Sequence, residues 1–396
     1  MSGSLRDWHR QWHQRVLRYL RSPLAPANAS DITTYVQPQP WLSRVYALLM
    51  GHKRRRHRRA AAWLGPRSVP TISVGNVTFG ATGKTPFVEY LVRLVHPLSE
   101  RAPVLLTRGY GDDEWRMVTA KFPSARLVKG ADRFRLGSAY VQQHRQELSC
   151  VILDDGLQQW QIRKDLEIVM VDALHPFGNG KLLPCGSLRE APQDALQRAD
   201  IVVVHHFDLV ACPQRQAALL QTVDQLTRRP IADGQASAIV ATSRMRVKAL
   251  VPLTTIQEDA ARDYGSGGCE LRAHLLDGAV ALVVCGVGNP ESVLQVVRRL
   301  PHAWTDVAIE AFPDHHAFTH EDVLDVVARV HVLAASNQQS QVVVLTTEKD
   351  AARSKEILSQ VLGARDIPVF VLESELQLLL NRHQVEERVR LLLERS

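Results

Sequence analysis

From residue 69 onward, apolar positions come in short dense runs separated by stretches where they recur every three or four residues. The runs at 71–75, 104–107, 150–154 and 167–172 read as buried strands, being too short for helices and rich in β-branched residues. A second series covers 201–204, 238–242, 280–284, 342–345 and 369–371, with helical periodicity over 290–300, 320–335 and 375–395. Strand alternating with helix predicts a parallel sheet with helices on both faces. The two series predict a core domain over 67–235 and a smaller α/β lobe over 236–396. Residues 255–272, rich in Asp, Glu, Gly and Ser, read as an inserted surface loop.

Before residue 69 the pattern changes. Apolar positions 41, 42, 45, 48 and 49 fall on one helical face, and the basic run Lys53-Arg54-Arg55-Arg56-His57-Arg58-Arg59 follows. An apolar face bearing an aromatic residue, beside lysine and arginine, suits a helix lying in a membrane interface. The competing reading is a helix packed on the core with a solvated basic end. Residues 41–66 are assigned to this element. Residues 1–40 form a basic extension: Arg6, Arg10, Arg15, Arg18 and Arg21 stand against Asp7, the balance of a targeting segment or of an ordinary basic surface helix. Its last third, 26–40, is a Pro-rich linker.

Charge narrows the classes. The net charge of +7 calls for an anionic partner. No aromatic residues interleave the basic run, so nucleic acid is not expected. No apolar stretch reaches the roughly 20 residues that span a bilayer. The five cysteines are odd in number and form no Cys-x-x-Cys pair, which argues against a disulfide framework and a zinc site.

The chemistry centres on Thr71-Ile72-Ser73-Val74-Gly75-Asn76-Val77-Thr78-Phe79-Gly80-Ala81-Thr82-Gly83-Lys84-Thr85-Pro86, a strand, a loop of small residues, Gly-Lys-Thr and then a helical pattern. That is the order of a phosphate loop. Small residues let backbone amides close on a polyphosphate, and the helix start adds its dipole. The candidate nucleotide contacts are Gly80, Ala81, Thr82, Gly83, Lys84 and Thr85, with Lys84 at the β/γ-phosphates and Thr85 on Mg²⁺. The strict pattern has glycine where Thr78 stands. Strand 150–154 ends in Asp154-Asp155, the place for metal-binding acids in such a protein. Arg108-Gly109-Tyr110-Gly111-Asp112-Asp113-Glu114 follows strand 104–107, so one of its acids is placed to accept a substrate proton. The long loop Phe177–Glu190 is punctuated by Gly and Pro, and its Arg189 is a candidate phosphate clamp.

Taken in order, these pieces resemble the tetraacyldisaccharide 4'-kinase (lipid A 4'-kinase) family. The resemblance rests on Ser73-Val74-Gly75-Asn76 with the variant phosphate loop, Leu106-Thr107-Arg108-Gly109-Tyr110, and Leu153-Asp154-Asp155-Gly156-Leu157-Gln158. It continues through Gly178-Asn179-Gly180, Leu183-Pro184, Leu188-Arg189-Glu190, Phe312-Pro313-Asp314-His315 and Thr347-Glu348-Lys349-Asp350. It implies a P-loop NTPase-type doubly wound parallel sheet with a second, smaller α/β lobe, an N-terminal amphipathic helix, and an active site between the lobes. It implies ATP and Mg²⁺ as cofactors. The implied acceptor is the 4'-hydroxyl of an acylated glucosamine disaccharide 1-phosphate lipid, reached through peripheral membrane contact. Asp113 matches the base, with Asp112 its rival, and His315 its helper. Asp154, Asp155 and Thr85 match metal ligands. Asn76, Arg108, Tyr110, Arg133, Arg189 and Glu190 match substrate-side positions.

The chain departs from the family pattern at Gly80-Ala81, where Gly-Gly is usual, and at Gln158-Gln159, where Gln-His is usual. Residues 111–117, 175–180 and 202–208 resemble the plant and algal branch. That branch implies a mitochondrial address, where a bacterial member would sit on the cytoplasmic face of the inner membrane. The alternative class is a P-loop GTPase switch or metallochaperone-type protein. It lacks a guanine-reading Asn-Lys-x-Asp in register: in Thr347-Glu348-Lys349-Asp350 the lysine comes one place late.

Overall fold

A computed structural model describes residues 39–109, 112–229, 237–254, 276–338 and 340–395. The targeting segment and most of the linker read in 1–40, the inserted loop 255–272, and Tyr110 and Gly111 lie outside the described residues. By packing, the described chain forms two compact units. The first holds residues 39–109, 122–229, 237–244 and 376–395; the second holds 112–121, 245–254, 276–338 and 340–375.

In the first unit, helix α1 (Trp41–Arg59) precedes β1 (Thr71–Asn76) and α2 (Lys84–Val95). All six residues of β1 are buried, and α2 turns Phe87, Val88, Leu91, Val92 and Val95 inward, the i, i+4 stripe of a helix laid on a sheet. β2 (Ala102–Thr107) follows. The chain then enters the second unit for α3 (Asp112–Lys121) and returns for β3 (Arg126–Lys129), α4 (Arg133–His144) and β4 (Leu148–Asp154). Next come β5 (Leu166–Asp172), α5 (Pro192–Leu196), β6 (Ile201–His205), α6 (Pro213–Thr227) and β7 (Ile239–Pro252). The strand order is β3-β2-β4-β1-β5-β6-β7, with every neighbouring pair parallel. Strand β1 therefore stands between β4 and β5. The connections run one way from it and then the other, and ligands of open α/β sheets bind at the carboxyl end of such a switch point.

β7 carries the chain into the second unit, built from β8 (Val280–Cys285), α7 (Pro290–Arg298), β9 (Asp306–Ala311), α8 (His320–Ser336), β10 (Val342–Thr347), α9 (Glu348–Gly363) and β11 (Val369–Leu378). Its strands run β11-β10-β8-β9, again parallel. Its core gathers Val280, Leu282, Val284, Phe312, Phe318, Val344 and Leu358. β11 returns the chain to the first unit, which α10 (Arg382–Glu394) completes.

The α/β class and parallel sheets are as the pattern predicts. Two stretches differ. Residues 375–378 extend β11 instead of opening a helix, because Leu376 and Leu378 alternate inward with a period of two. Residues 112–121, to which the pattern gives no element, form a helix, whose Trp115 and Val118 are buried at helical spacing.

Candidate active site

The phosphate loop is closed at its base by Asn76, whose Nδ2 donates to the Gly80 carbonyl at 3.2 Å. Helix α2 starts from Gly83 in the left-handed region, φ +83°. Glycine is required there twice over: the conformation is costly for other residues, and a β-carbon would lie 2.4 Å from Cδ2 of His205. The first turn of α2 holds no acidic residue, so no carboxylate of its own competes with an anion for its positive end. The hydroxyls of Thr82 and Ser187 and the Oδ1 of Asn76 are buried without a protein partner. Thr82 and Ser187 both line a pocket beside the loop, with Thr78 and Phe79.

The long loop before α5 is stitched to the phosphate loop by backbone. Phe79 N donates to Ser187 O at 2.6 Å, and Arg189 N to Val77 O at 2.9 Å. This pairing delivers the Arg189 guanidinium to Asp155 at 2.6 Å and to Gln158 Oε1 at 3.1 Å, with the group 5.3 Å above the Phe79 ring. Lys84 Nζ stands 4.0 Å from the same Asp155 oxygen. Burial pushes the Asp155 carboxyl up, but Arg189, Lys84 and Arg133 outweigh it and hold the group below the usual carboxylate range. Asp154 accepts from Thr107 Oγ1 at 3.3 Å, and its carbonyl accepts from Arg133 at 3.4 Å. Gln158 Nε2 bridges Asn76 O at 3.2 Å and Glu190 Oε1 at 3.0 Å; Glu190, itself buried, pairs with Arg198 at 2.9 Å and Arg54 at 3.5 Å.

Behind the loop lies a histidine cluster. His206 Nδ1 is 3.0 Å from Asp172 Oδ1, and His175 Nδ1 is 3.6 Å from Oδ2. Burial opposes ionisation of Asp172, yet the hydrogen bond with His206 and the nearby His175 ring prevail and keep it far below the ordinary carboxylate value. The His205 ring lies tilted against His206, centroids 3.9 Å apart, and shares a 2.9 Å hydrogen bond with Ser243. Complete burial, then the neighbouring His206, drives the His205 pKa well down, so it is a neutral ring supporting Gly83.

Helix α1 meets this site through its polar stripe. Ser43 Oγ donates to Leu182 O at 2.7 Å, Tyr46 Oη to Arg189 O at 3.0 Å, and Arg54 pairs with Asp194 at 2.8 Å. Its apolar face points away: Trp41 is 71% exposed and Leu48 72%, and Leu42, Val45 and Leu49 are exposed as well. This is the reverse of a helix packed on the core. Among the described residues no helix is long and apolar enough to cross a membrane.

For a metal, the available donors are Thr85, Asp154 and Asp155, all hard oxygens of the kind Mg²⁺ takes. Among the described residues no group of three or more His, Cys, Asp or Glu side chains could hold a metal ion. Two carboxylates and a hydroxyl fit Mg²⁺, which keeps most of its shell as water and phosphate oxygen.

The first unit thus brings together Asn76, Gly80, Ala81, Thr82, Gly83, Lys84, Thr85, Arg133, Asp154, Asp155, Arg189 and Glu190. Arg108, at the end of β2, is exposed. Asp113 and His315 belong to the second unit: Asp113 stands in the first turn of α3, and His315 lies in the loop after β9 with φ +61°. Sequence reasoning missed Thr107, Gln158, Arg54 and Arg198 as partners of the site, and the cluster of Asp172, His205 and His206. The available signal was His205-His206 at the end of a predicted strand, opposite Asp172 at the end of another.

A parallel sheet switching direction at a phosphate-loop strand, with paired acids on the next strand, defines a P-loop α/β kinase-type protein. The family model for "Tetraacyldisaccharide-1-P 4'-kinase" matches residues 39–394. A protein of Arabidopsis thaliana named "Probable tetraacyldisaccharide 4'-kinase, mitochondrial" is 32% identical, the match covering 78% of each chain. The tetraacyldisaccharide 4'-kinase of Halothermothrix orenii is 29% identical over 85% of this chain and 88% of its own. A crystal structure of LpxK from Aquifex aeolicus in complex with ATP superposes with a TM-score of 0.57 at 20% identity, covering 89% of this chain and 97% of that one, a likeness of fold. The chain belongs to the tetraacyldisaccharide-1-P 4'-kinase family and is a kinase of that family; the GTPase-switch and metallochaperone alternative is not favoured.

Proposed function

We propose that this kinase transfers the γ-phosphoryl group of ATP to the 4'-hydroxyl of a tetraacyl glucosamine disaccharide 1-phosphate, giving a lipid IVA-type product for lipid A biosynthesis. The observation that carries the reading is the cluster at the switch point: Lys84 of the phosphate loop and Arg189 of the long loop both lie within 4.0 Å of Asp155, just past the end of β4. Phosphoryl transfer asks little covalent chemistry of a protein, and positioning and electrostatics supply most of the rate. Lys84, the α2 amides and the Thr82 hydroxyl bind and orient the phosphates. Arg189 is a planar fork suited to phosphate oxygens, and its contact with Asp155 keeps it aimed before ATP arrives. Thr85, Asp154 and Asp155 would hold Mg²⁺, which when bound neutralises charge on the β- and γ-oxygens. Asp113 accepts the proton of the acceptor hydroxyl, and His315 assists it.

The exposed apolar face of α1, beside its basic run, is the proposed seat on the membrane and against acyl chains. We place the enzyme at a membrane surface, with a mitochondrial address as the finer reading, in keeping with the name of the plant relative.

The test is transfer of label from [γ-³²P]ATP to a tetraacyl disaccharide 1-phosphate in mixed micelles, with Mg²⁺ and with EDTA. A labelled lipid formed only with Mg²⁺ is expected; no labelled lipid would overturn the substrate assignment. Asp113→Ala and His315→Ala should each be severe, and the double variant little worse than the harsher single, because residues acting as one unit lose function non-additively. An inactive Asp112→Ala beside an active Asp113→Ala would move the base to Asp112.

A further inference from the structure

The turn Thr347-Glu348-Lys349-Asp350, where β10 ends and α9 begins, has no part in the reaction described so far. Asp350 is entirely buried. A buried carboxylate is retained only when its oxygens are well used. Its Oδ1 accepts from the backbone amide of Gly286 at 3.1 Å, and its Oδ2 accepts from the Thr347 hydroxyl at 2.7 Å. Arg353 lies 3.5 Å from Oδ1 and donates to the carbonyl of His316 at 3.1 Å.

Both routes from Asp350 end on the same loop. The carbonyl of Gly286 accepts from the amide of His315 at 3.1 Å, and the carbonyl of His316 is the acceptor for Arg353. One buried carboxylate thus holds the backbone on both sides of His315. That backbone needs holding. His315 is a non-glycine residue at φ +61°, a conformation that persists only where its surroundings over-determine it. The fit is close: a β-carbon on Gly286 would lie 3.1 Å from the Pro313 carbonyl and 3.2 Å from Asp350 Oδ1.

The same turn reaches α3. Glu348 pairs with Lys121 at 2.8 Å, in the last turn of the helix that opens on Asp112 and Asp113, and its other oxygen accepts from the Ser374 amide at 3.2 Å. One four-residue turn therefore anchors the loop that bears His315 and the helix that bears Asp113.

We infer that Asp350 is a positioning residue for the phosphoryl transfer, acting by fixing the backbone that presents His315, with Glu348 as the companion anchor on α3. This rests on the assignment of His315 as helper of the base. An ordinary helix cap would explain Thr347 and the amide of Asp350. It does not explain why the carboxylate also serves Gly286 and Arg353.

A double-mutant cycle on the full chain separates positioning from mere stability. Asp350→Asn keeps the shape but cannot accept at both oxygens, and kcat should fall about tenfold or more with the KM for ATP unchanged, as when an interaction felt in the transition state is lost. In the His315→Ala background the same substitution should change kcat by less than about twofold, because its target is already gone. Melting temperatures of all four proteins report stability. Should Asp350→Asn fail to fold, Gly286→Ala, which moves the loop by tenths of an ångström, serves in the same cycle. An impaired His315→Ala with losses that multiply in the double variant would overturn the inference alone. A fully active His315→Ala would overturn the helper assignment and the inference with it.

Discussion

Lys84 approaches Asp155 to 4.0 Å, while Arg189 holds the same oxygen at 2.6 Å. Removing the lysine therefore leaves Asp155 paired, and the fold should survive Lys84→Ala. kcat/KM should drop by about two to four orders of magnitude, the cost of a main electrostatic stabiliser. Steady-state kinetics checks this, and activity within a few-fold of the parent would remove Lys84 from the phosphates. At Gly83 the expectation reverses. Gly83→Ala meets both the φ of +83° and the His205 ring, so it should cost stability, about 1–3 kcal/mol from the backbone alone, as well as nucleotide binding. Urea unfolding and an ATP titration measure the two losses separately.

Helix α1 is amphipathic in an unusual sense: its polar stripe docks on the protein and its apolar face looks outward. Deleting the helix would disturb Arg189 and Glu190 along with any membrane seat, because Tyr46 and Arg54 touch both. Trp41→Ser with Leu48→Ser and Leu49→Ser is the cleaner change. Those side chains are exposed, so the melting temperature should hold while co-sedimentation with anionic vesicles falls; unchanged sedimentation would refute the membrane role. The apolar stripe itself was legible in the sequence, as was the phosphate loop, because both are local patterns within about 20 residues. Which stripe would dock was not, since Ser43 and Tyr46 find their acceptors on a loop far along the chain. The same limit hid His205 beneath Gly83 and Asp350 behind His315: each is a contact made by topology between distant residues. Strand β11 was cut short for a different reason. Leu376 and Leu378 suit either period over so few positions, and only packing decides.

Across the whole molecule, acid should weaken the first unit before it weakens catalysis by other means. The His205 pKa is held well below its unfolded value near 6.5. The unfolded chain then binds more protons below that value, so stability is fully present above about pH 6.5 and declines as pH falls below it. Asp155 and Asp172 add stability that is present above their unfolded values near 4 and lost only at lower pH. Melting temperature should therefore be flat from about pH 8 to 7 and decline from about 6.5 to 5, and His205→Gln should flatten that decline. A profile independent of pH over this range would mean that folding does not shift the imidazole at 205. The route of the chain has a different consequence. α10 closes the first unit: Val385 and Val389 are buried, and Glu386 accepts a 2.7 Å hydrogen bond from Tyr90 on the phosphate-loop helix. During synthesis the phosphate-loop helix leaves the ribosome well before α10, its partner, has been made. Domains generally fold as units as they emerge. Here the two leave the ribosome with the whole second unit translated between them, so the face of α2 that carries Tyr90 stays uncovered in the nascent chain over that interval.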